Sequence, residues 1–258
     1  MSKLPAPIRE AYYWINARGN IGRTVANIGA YAYMGGIKLL GMKPWKDLAA
    51  LCVVSHEKKC VYIGIPKIAT RTFRDVMVQT NAEIFKASES EKPGAFLDIH
   101  AQHPDYFSFS FVRNPWSRAL SCYHSKIENA AIGKQARIHS LYKGLTPDMS
   151  FEDFVRWLGS EEGRDDIADR HWISQHLFLT NDAGEMICDY VGKYESINED
   201  WASICEKLGI GELALPHMGW NSSAKSGLTD YREHYTDEMR AIISKRYAKD
   251  IKLFGYEF

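Results

Sequence analysis

Apolar residues cluster in short runs along the chain, and three of these runs lead into a turn and then into a helical pattern. The first run is CVYIGI, residues 60–65, and the second is YFSFSFV, residues 106–112, in which phenylalanine alternates with serine. The third is CDYVGKYES, residues 188–196. Uninterrupted apolar runs and alternation at period two are both typical of strands. Strand, turn and helix in three successions predict an α/β fold with a mostly parallel central sheet.

The first of these helices begins after Pro66. The apolar spacing predicts that it continues to about residue 81, with Phe73, Val76 and Met77 on its buried face. The second follows RNP at residues 113–115, where proline suits the first turn of a helix.

Two further helices carry a signal for their first residue. Ser150 is followed three positions later by Asp153, and this spacing predicts a capping box at the start of the helix SFEDFVRWL. Thr236 is the predicted N-cap of one last helix, which leads into a short tail. Both signals place a side-chain oxygen where the first free amides of a helix need an acceptor.

The N-terminal part of the chain has a different pattern. We predict a helical extension over residues 1–55 and a main domain over residues 56–258, although LCVVS, residues 51–55, is a short apolar run with strand character. Residues 20–41 are rich in glycine and alanine but contain charged residues, so they offer no run of about 20 apolar residues. We interpret them as a helix packed on the main domain. A helix at a membrane surface, giving a peripheral membrane contact, is the alternative.

Charge and cysteine content narrow the class of protein. The 32 basic and 32 acidic residues cancel, so no global field attracts nucleic acid, and we expect no nucleic-acid partner. The five cysteines include no CxxC pair, which argues against a zinc site or a disulfide framework. The cysteine content, together with a start that lacks a secretion pattern, predicts a cytoplasmic protein, with membrane association as the alternative.

The turns after the first two strands carry the candidate chemistry. In a parallel sheet, ligands bind at the carboxyl ends of the strands, where helix N-termini offer free amides to anions. The second turn adds Arg113, and Ser121 follows two turns into its helix. The donors of the first turn are Lys67, Thr70, Arg71 and Thr72. Two such turns predict a ligand with two separated anionic groups.

The nucleotide-binding P-loop offers an obvious comparison. Gly64 matches its first glycine, but the second glycine is absent and Lys67 comes too early. No strand ends in an aspartate that would hold magnesium. These departures argue against a metal-dependent kinase, and we expect no metal site.

Two motifs in this order resemble those of the PAPS-dependent sulfotransferases, in particular the carbohydrate sulfotransferases and their bacterial counterparts. They are IPKIATRTF and, further along the chain, FSFVRNPWSRALSCY. The resemblance continues in DRHWISQ, DYVGKYESINED, LPHMGWNSS and YAKDIKLFGYEF, and it covers about residues 58–258. It implies a P-loop-like three-layer sandwich and PAPS (3′-phosphoadenosine 5′-phosphosulfate) as co-substrate.

The resemblance also assigns roles to individual residues. Lys67 would neutralise charge on the leaving phosphate, Arg113 and Ser121 would hold the 3′-phosphate, and Lys225 would lie in a late loop that closes over the nucleotide. The loop around the 5′-phosphosulfate would consist of Pro66, Lys67, Ala69, Thr70, Arg71 and Thr72. Ile68 departs from the small residues usual after the lysine, and we expect it to give the loop a bulkier flank.

Sulfuryl transfer needs a general base near the acceptor hydroxyl. The first candidate is His100, because related carbohydrate enzymes carry a functional histidine in a comparable segment. The second is Asp75, on the predicted helix after Lys67, where some heparan sulfotransferases place a glutamate. His103 is a further alternative.

The resemblance therefore implies in-line transfer of a sulfuryl group from PAPS to a hydroxyl of a carbohydrate or glycoconjugate. Sulfation of a small alcohol or lipid head group, and a nucleotide-binding protein without turnover, stay open as alternatives. A basic stretch over residues 124–144 is predicted to border the acceptor entrance, where it would suit an anionic glycan. Its basic residues are Lys126, Lys134, Arg137, His139 and Lys143.

Overall fold

A five-stranded sheet forms the centre of the protein. The computed structural model describes residues 51–78, 83–85, 103–128, 142–181, 183–211, 215 and 230–258. The strands lie in the order β3-β1-β2-β4-β5. They are β1 (Leu51–Ser55), β2 (Cys60–Gly64), β3 (Glu83–Phe85), β4 (Phe107–Val112) and β5 (Tyr190–Lys193).

The sheet is mixed, with a parallel half that carries the candidate site. Strand β4 pairs parallel to β2 on one side and to β5 on the other. Strand β1 pairs antiparallel with both β2 and β3. The three strands predicted from the strand–turn–helix pattern are therefore the parallel ones, and their carboxyl ends meet at one edge of the sheet.

Six α-helices in the described part of the chain accompany the strands, so the α/β class is confirmed. They are α1 (Thr70–Val78), α2 (Pro115–Lys126), α3 (Phe151–Leu158), α4 (Ile197–Leu208), α5 (Asp237–Arg246) and α6 (Ala248–Phe254). Among the residues described here, no helix is long and apolar enough to cross a membrane. The finer expectation of a P-loop-like three-layer sandwich stays a prediction.

The boundary predicted after residue 55 needs a correction. Strand β1 pairs along its whole length with β2, from Leu51 opposite Gly64 to Ser55 opposite Cys60. Residues 51–55 thus belong to the sheet, because the tight turn at residues 56–59 makes a hairpin of the two apolar runs. The rest of the predicted extension, residues 1–50, lies outside the described residues.

The serine face of β4 is buried like its phenylalanine face. Ser108 and Ser110 are fully buried. The hydroxyl of Ser110 donates to the carbonyl of Ile63 (2.6 Å), and that of Ser108 donates to the carboxylate of Asp189 (2.6 Å). Small polar side chains can lie there because each has a hydrogen-bond partner.

Helix α1 is fixed to the sheet through one aromatic side chain. The ring of Phe73 stacks on Phe111 of β4 with centroids 4.3 Å apart, and Tyr62 and Trp201 lie against it at 5.2 and 5.4 Å. Phe73, Val76 and Met77 are all buried, as the apolar spacing predicted. Since α1 begins directly after the lysine turn, this packing also sets the position of that turn.

Both predicted caps are present, but the last helix is two helices. Ser150 and Asp153 form the reciprocal capping box, and the hydroxyl of Thr236 accepts from the amide of Met239. The predicted single helix breaks at Tyr247, whose backbone leaves the helical region (φ −114°, ψ 27°). The side chain of Tyr247 is buried and donates to the carbonyl of Trp172 (2.6 Å), a tertiary contact that local propensity cannot reveal.

We predict that Phe73→Ala lowers the free energy of unfolding by about 3–5 kcal/mol, because it removes a fully buried ring and leaves a cavity against β4. Chemical denaturation measures the change. Arg74→Ala on the same helix is the matched control, since Arg74 pairs only with the exposed Asp75 and should cost less than about 1 kcal/mol. Equal losses in the two variants would contradict the role given to Phe73.

Candidate active site

The turn between β2 and α1 has an unusual backbone. Lys67 (φ 75°) and Ala69 (φ 46°) both lie in the left-handed region, which residues with a side chain seldom adopt. The hydroxyl of Thr70 donates to the carbonyl of Ile65 (2.6 Å) and closes the turn. Residues in such conformations turn successive amides toward one side and make an anion-binding concavity. The strain is typical of a functional loop.

Ile68 does not flank this concavity. Its side chain is fully buried in the hydrophobic core. The expected bulkier flank is therefore corrected, because the left-handed conformations on both sides of Ile68 turn it inward. A larger residue can replace the usual small one here without narrowing the anion side of the turn.

Arg113 joins the two turns. It follows β4 and is 6% exposed, with its guanidinium 4.4 Å from the centre of the Tyr194 ring. Its NH1 donates to the carbonyl of Lys67 (3.3 Å) and its Nε donates to the hydroxyl of Ser117 (2.9 Å). None of the ion pairs between described residues includes Arg113 or Lys67.

A buried glutamine clamps the backbone of Arg113. The amide of Arg113 donates to Oε1 of Gln175, and Nε2 of Gln175 donates to the carbonyl of Arg113, both at 2.9 Å. Asp250, fully buried in α6, in turn accepts from the amides of Gln175 (2.7 Å) and His176 (2.9 Å). The last helix thereby supports the second turn.

Arg118 is a site residue that the sequence reasoning missed. It lies on α2, is 3% exposed, and donates to the carbonyls of Pro66 (3.4 Å), Ile173 (2.8 Å) and Arg170 (3.4 Å). Its guanidinium thus links the lysine turn to the turn at residues 169–173. In the sequence, its position one helical turn after Asn114 is a weak signal that Arg118 belongs to the site. Only the tertiary structure shows its partners.

Positive charge accumulates around Lys67. Burial and, to a smaller extent, the nearby charges of Arg113, Lys126 and Arg118 together lower the pKa of Lys67 to about 8, against the opposing effect of Cys122. Burial likewise lowers the pKa of Arg113. Cations held close together and desolvated are unfavourable by themselves, so this arrangement fits a ligand that brings several negative charges.

The other predicted binding residues surround these cations. Ser121 is buried and lies one turn beyond Ser117 on the same face of α2, the face that contacts Arg113. Arg71 is exposed at the start of α1, and the half-buried members of the set are Pro66, Ala69, Thr70 and Thr72. The structure thus brings the predicted residues of the two motifs to one edge of the sheet.

Neither described base candidate makes a hydrogen bond or ion pair with a described residue of this cluster. Asp75 is exposed on α1 and accepts from Nε and NH2 of Arg74 at 2.8 and 2.6 Å. His103 stacks on Tyr106 ahead of β4, roughly 20 Å from Arg113 at the rise of a strand. His100 lies outside the described residues, as do Lys134, Arg137, His139 and Lys225.

The fold and the cluster place desolvated cations and free helix amides together at the carboxyl ends of two parallel strands, an arrangement suited to a polyanion. Residues 51–257 match the Sulfotransferase family. Since the match spans most of the chain, the protein belongs to this family.

Individual relatives are distant. Carbohydrate sulfotransferase 10 of Xenopus laevis is 24% identical over 79% of this chain and 66% of its own length. Carbohydrate sulfotransferase 14 of Danio rerio is 26% identical (82% and 63%), and carbohydrate sulfotransferase 11 of Mus musculus is 23% identical (79% and 66%). The chain thus spans slightly less than two thirds of the length of these relatives. No solved structure matches it.

We predict that Gln175→Met lowers the free energy of unfolding by about 2–4 kcal/mol, because it leaves the buried amide and carbonyl of Arg113 without partners. With PAPS as the expected co-substrate, it should also weaken binding of 3′,5′-ADP, the nucleotide that PAPS leaves after sulfuryl transfer, since the Arg113 side chain loses its fixed position. Denaturation and calorimetric titration measure the two effects. Normal affinity in a destabilised Gln175→Met protein would show that the clamp serves the fold alone.

Proposed function

We propose that the protein transfers a sulfuryl group from PAPS to a hydroxyl of a carbohydrate or glycoconjugate. The observation that carries this proposal is the buried guanidinium of Arg113, which bonds to the carbonyl of Lys67 and forms no ion pair within 4 Å with a described residue, the charge of Glu195 acting on it from farther away. One cation at the junction of two anion-ready turns suits a nucleotide with phosphates at both its 3′ and 5′ positions.

The lysine turn suits the 5′-phosphosulfate. Its left-handed residues and the N-terminus of α1 offer backbone amides, and Lys67 supplies a charge at the same place. Thr72 and Arg71 follow in the first turn of α1 and add a hydroxyl and a guanidinium. The hydroxyl of Thr70 donates to the carbonyl of Ile65 and closes the turn. We therefore assign only the backbone amide of Thr70 to binding of the 5′-phosphosulfate.

The second turn suits the 3′-phosphate. Arg113 uses Nε and NH1 within the protein, which fixes the plane of its guanidinium, and its NH2 donates to no described residue and can serve a ligand. The hydroxyl of Ser121, on the same face of α2, makes no hydrogen bond with a described residue and can serve the same group. Recognition at this turn would distinguish 3′-phosphorylated nucleotides from AMP and ATP.

PAPS supplies a sulfuryl group on a good leaving phosphate. Lys67 would stabilise the negative charge that grows on that phosphate as the bond to sulfur lengthens, a contribution made mainly in the transition state. Arg113, bonded to the carbonyl of Lys67, keeps the lysine turn in register with the second turn. The similarity to carbohydrate sulfotransferases 10 and 14 supports a carbohydrate acceptor.

We predict that Arg113→Ala weakens 3′,5′-ADP binding about 30- to 100-fold, because a desolvated, charge-assisted contact is lost. Affinity for 5′-AMP, which lacks the 3′-phosphate, should fall about tenfold less, because only the bond that holds the lysine turn is lost for this ligand. Calorimetric titration of both nucleotides measures the difference, and Arg232→Ala, an exposed arginine paired with Asp230, is the control. An equal loss for both nucleotides, or no preference for 3′,5′-ADP in the unmodified protein, would contradict the proposal.

We predict that 3′,5′-ADP affinity depends on the protonation of Lys67. The pKa of Lys67 is lowered to about 8, and the bound anion favours its charged form. Affinity should therefore be full below about pH 8 and fall up to tenfold per pH unit above it. Titrations between about pH 6.5 and pH 9.5 test this dependence. Lys67→Arg, which stays charged, should abolish it; the same decline in that variant would exclude Lys67 as the cause.

A further inference from the structure

An aspartate–histidine pair lies in the turn at residues 169–173. The carboxylate of Asp169 contacts Nδ1 of His171 at 2.5 Å and also accepts from the amide of His171 at 3.0 Å. The amides of Trp172 and Ile173 donate to the carbonyl of Asp169 and hold the turn. Asp169 therefore fixes both the backbone and the ring of His171. This is how a carboxylate sets the tautomer of an imidazole so that Nε2 can accept a proton.

The pair lies beside the cation cluster. A single guanidinium, that of Arg118, donates to the carbonyls of Pro66 and Arg170, so those two oxygens lie within roughly 10 Å of each other. Pro66 directly precedes Lys67, and Arg170 directly precedes His171. Lys126 gives a second connection, because its charge acts on both Lys67 and His171.

The second ring nitrogen of His171 is available. The side chain is 17% exposed, and Nε2 makes no hydrogen bond with a described residue. A histidine with Nδ1 held by a carboxylate and Nε2 accessible beside an anion site has the geometry of a general base. By contrast, His176 is packed against Asp250 in the core.

We propose that His171, positioned by Asp169, is the general base that accepts the proton of the acceptor hydroxyl. The inference deepens the proposed function and rests on it. We prefer it to Asp75, which pairs with Arg74, and to His103, which lies at the opposite end of β4 from Arg113, and it competes with His100.

The protonation state of His171 suits this role. The pKa of His171 is lowered to about 4, mainly by burial and to a smaller extent by the charges of Lys126 and Arg170, while Asp169 acts in the opposite direction. The ring is therefore neutral at pH 7 and ready to accept a proton. Tyr142 also lies near the carboxylate of Asp169. A bound polyanion would offset the charge of Lys126 and raise the basicity of His171 in the reacting complex.

The step balances without a further reagent. The acceptor oxygen forms a bond to sulfur while the bond from sulfur to the bridging phosphate oxygen breaks, and its electron pair stays on that oxygen near Lys67. The proton of the acceptor hydroxyl passes to Nε2 of His171. The products are the sulfate ester, 3′,5′-ADP and an imidazolium paired with Asp169, which returns its proton to water.

His171→Ala tests the proposal with two separate readouts. Binding of 3′,5′-ADP is measured by calorimetry. Turnover is measured with ³⁵S-labelled PAPS and two probe acceptors, a neutral oligosaccharide and a polysaccharide that contains uronic acids. We expect unchanged affinity, within about threefold, and a fall in kcat of about 10²–10⁴-fold. His56→Ala, which removes an exposed histidine at the β1–β2 turn, is the matched control and should keep full turnover.

Two further measurements separate catalysis from a structural role. Added imidazole should restore part of the turnover of His171→Ala, which a merely distorted protein would not allow. Asp169→Asn should reduce kcat less than His171→Ala, with unchanged 3′,5′-ADP affinity, because the ring stays but is less well positioned.

The outcomes are distinct. If His171→Ala keeps kcat within about tenfold while His100→Ala is inactive, His171 is not the base and the proposed function stands. If the unmodified protein neither prefers 3′,5′-ADP nor transfers label, the proposed function fails and this inference fails with it. Loss of both binding and turnover in His171→Ala, without imidazole rescue, would assign His171 a structural role only.

Discussion

The contact between the guanidinium of Arg113 and the carbonyl of Lys67 is the constraint on which the rest of the site depends. It connects the turn after β2 to the turn after β4, and it requires that other contacts fix the backbone of each turn. Phe73 anchors the helix that follows the first turn, and Gln175 clamps the second turn. Asp250 supports Gln175, so even the last helix contributes to the position of one arginine.

The cations of this site do not stabilise the protein by their charge when no ligand is bound. Lys67, Arg113, Arg118 and Lys126 influence one another unfavourably, and burial adds to the cost. A fold tolerates such a cluster when buried hydrogen bonds fix the side chains and a ligand supplies the missing negative charge. Arg118 meets the first condition, because its guanidinium donates hydrogen bonds to three carbonyls. These bonds fix it between the lysine turn and the turn of His171.

Much of the fold could be predicted because its signals are local. The apolar run of β2, the alternation of β4 and the caps at Ser150 and Thr236 each depend on a few neighbouring residues, and all appear in the structure. The motif residues of both turns could also be named. The predictions that needed correction depended on distant contacts: β1 joins the sheet by pairing with β2, and Tyr247 breaks the last helix through its bond to Trp172.

The sequence by itself determined the class of fold, the two anion-ready turns and the residue types that line them. Only the tertiary structure decided how these residues act together. It turned Ile68 into the core, connected Arg113 to Lys67, paired Asp75 with Arg74, and left His103 at the opposite end of β4 from Arg113. The physical reason is that spacing along the chain fixes local geometry, whereas burial and partners depend on residues many positions away.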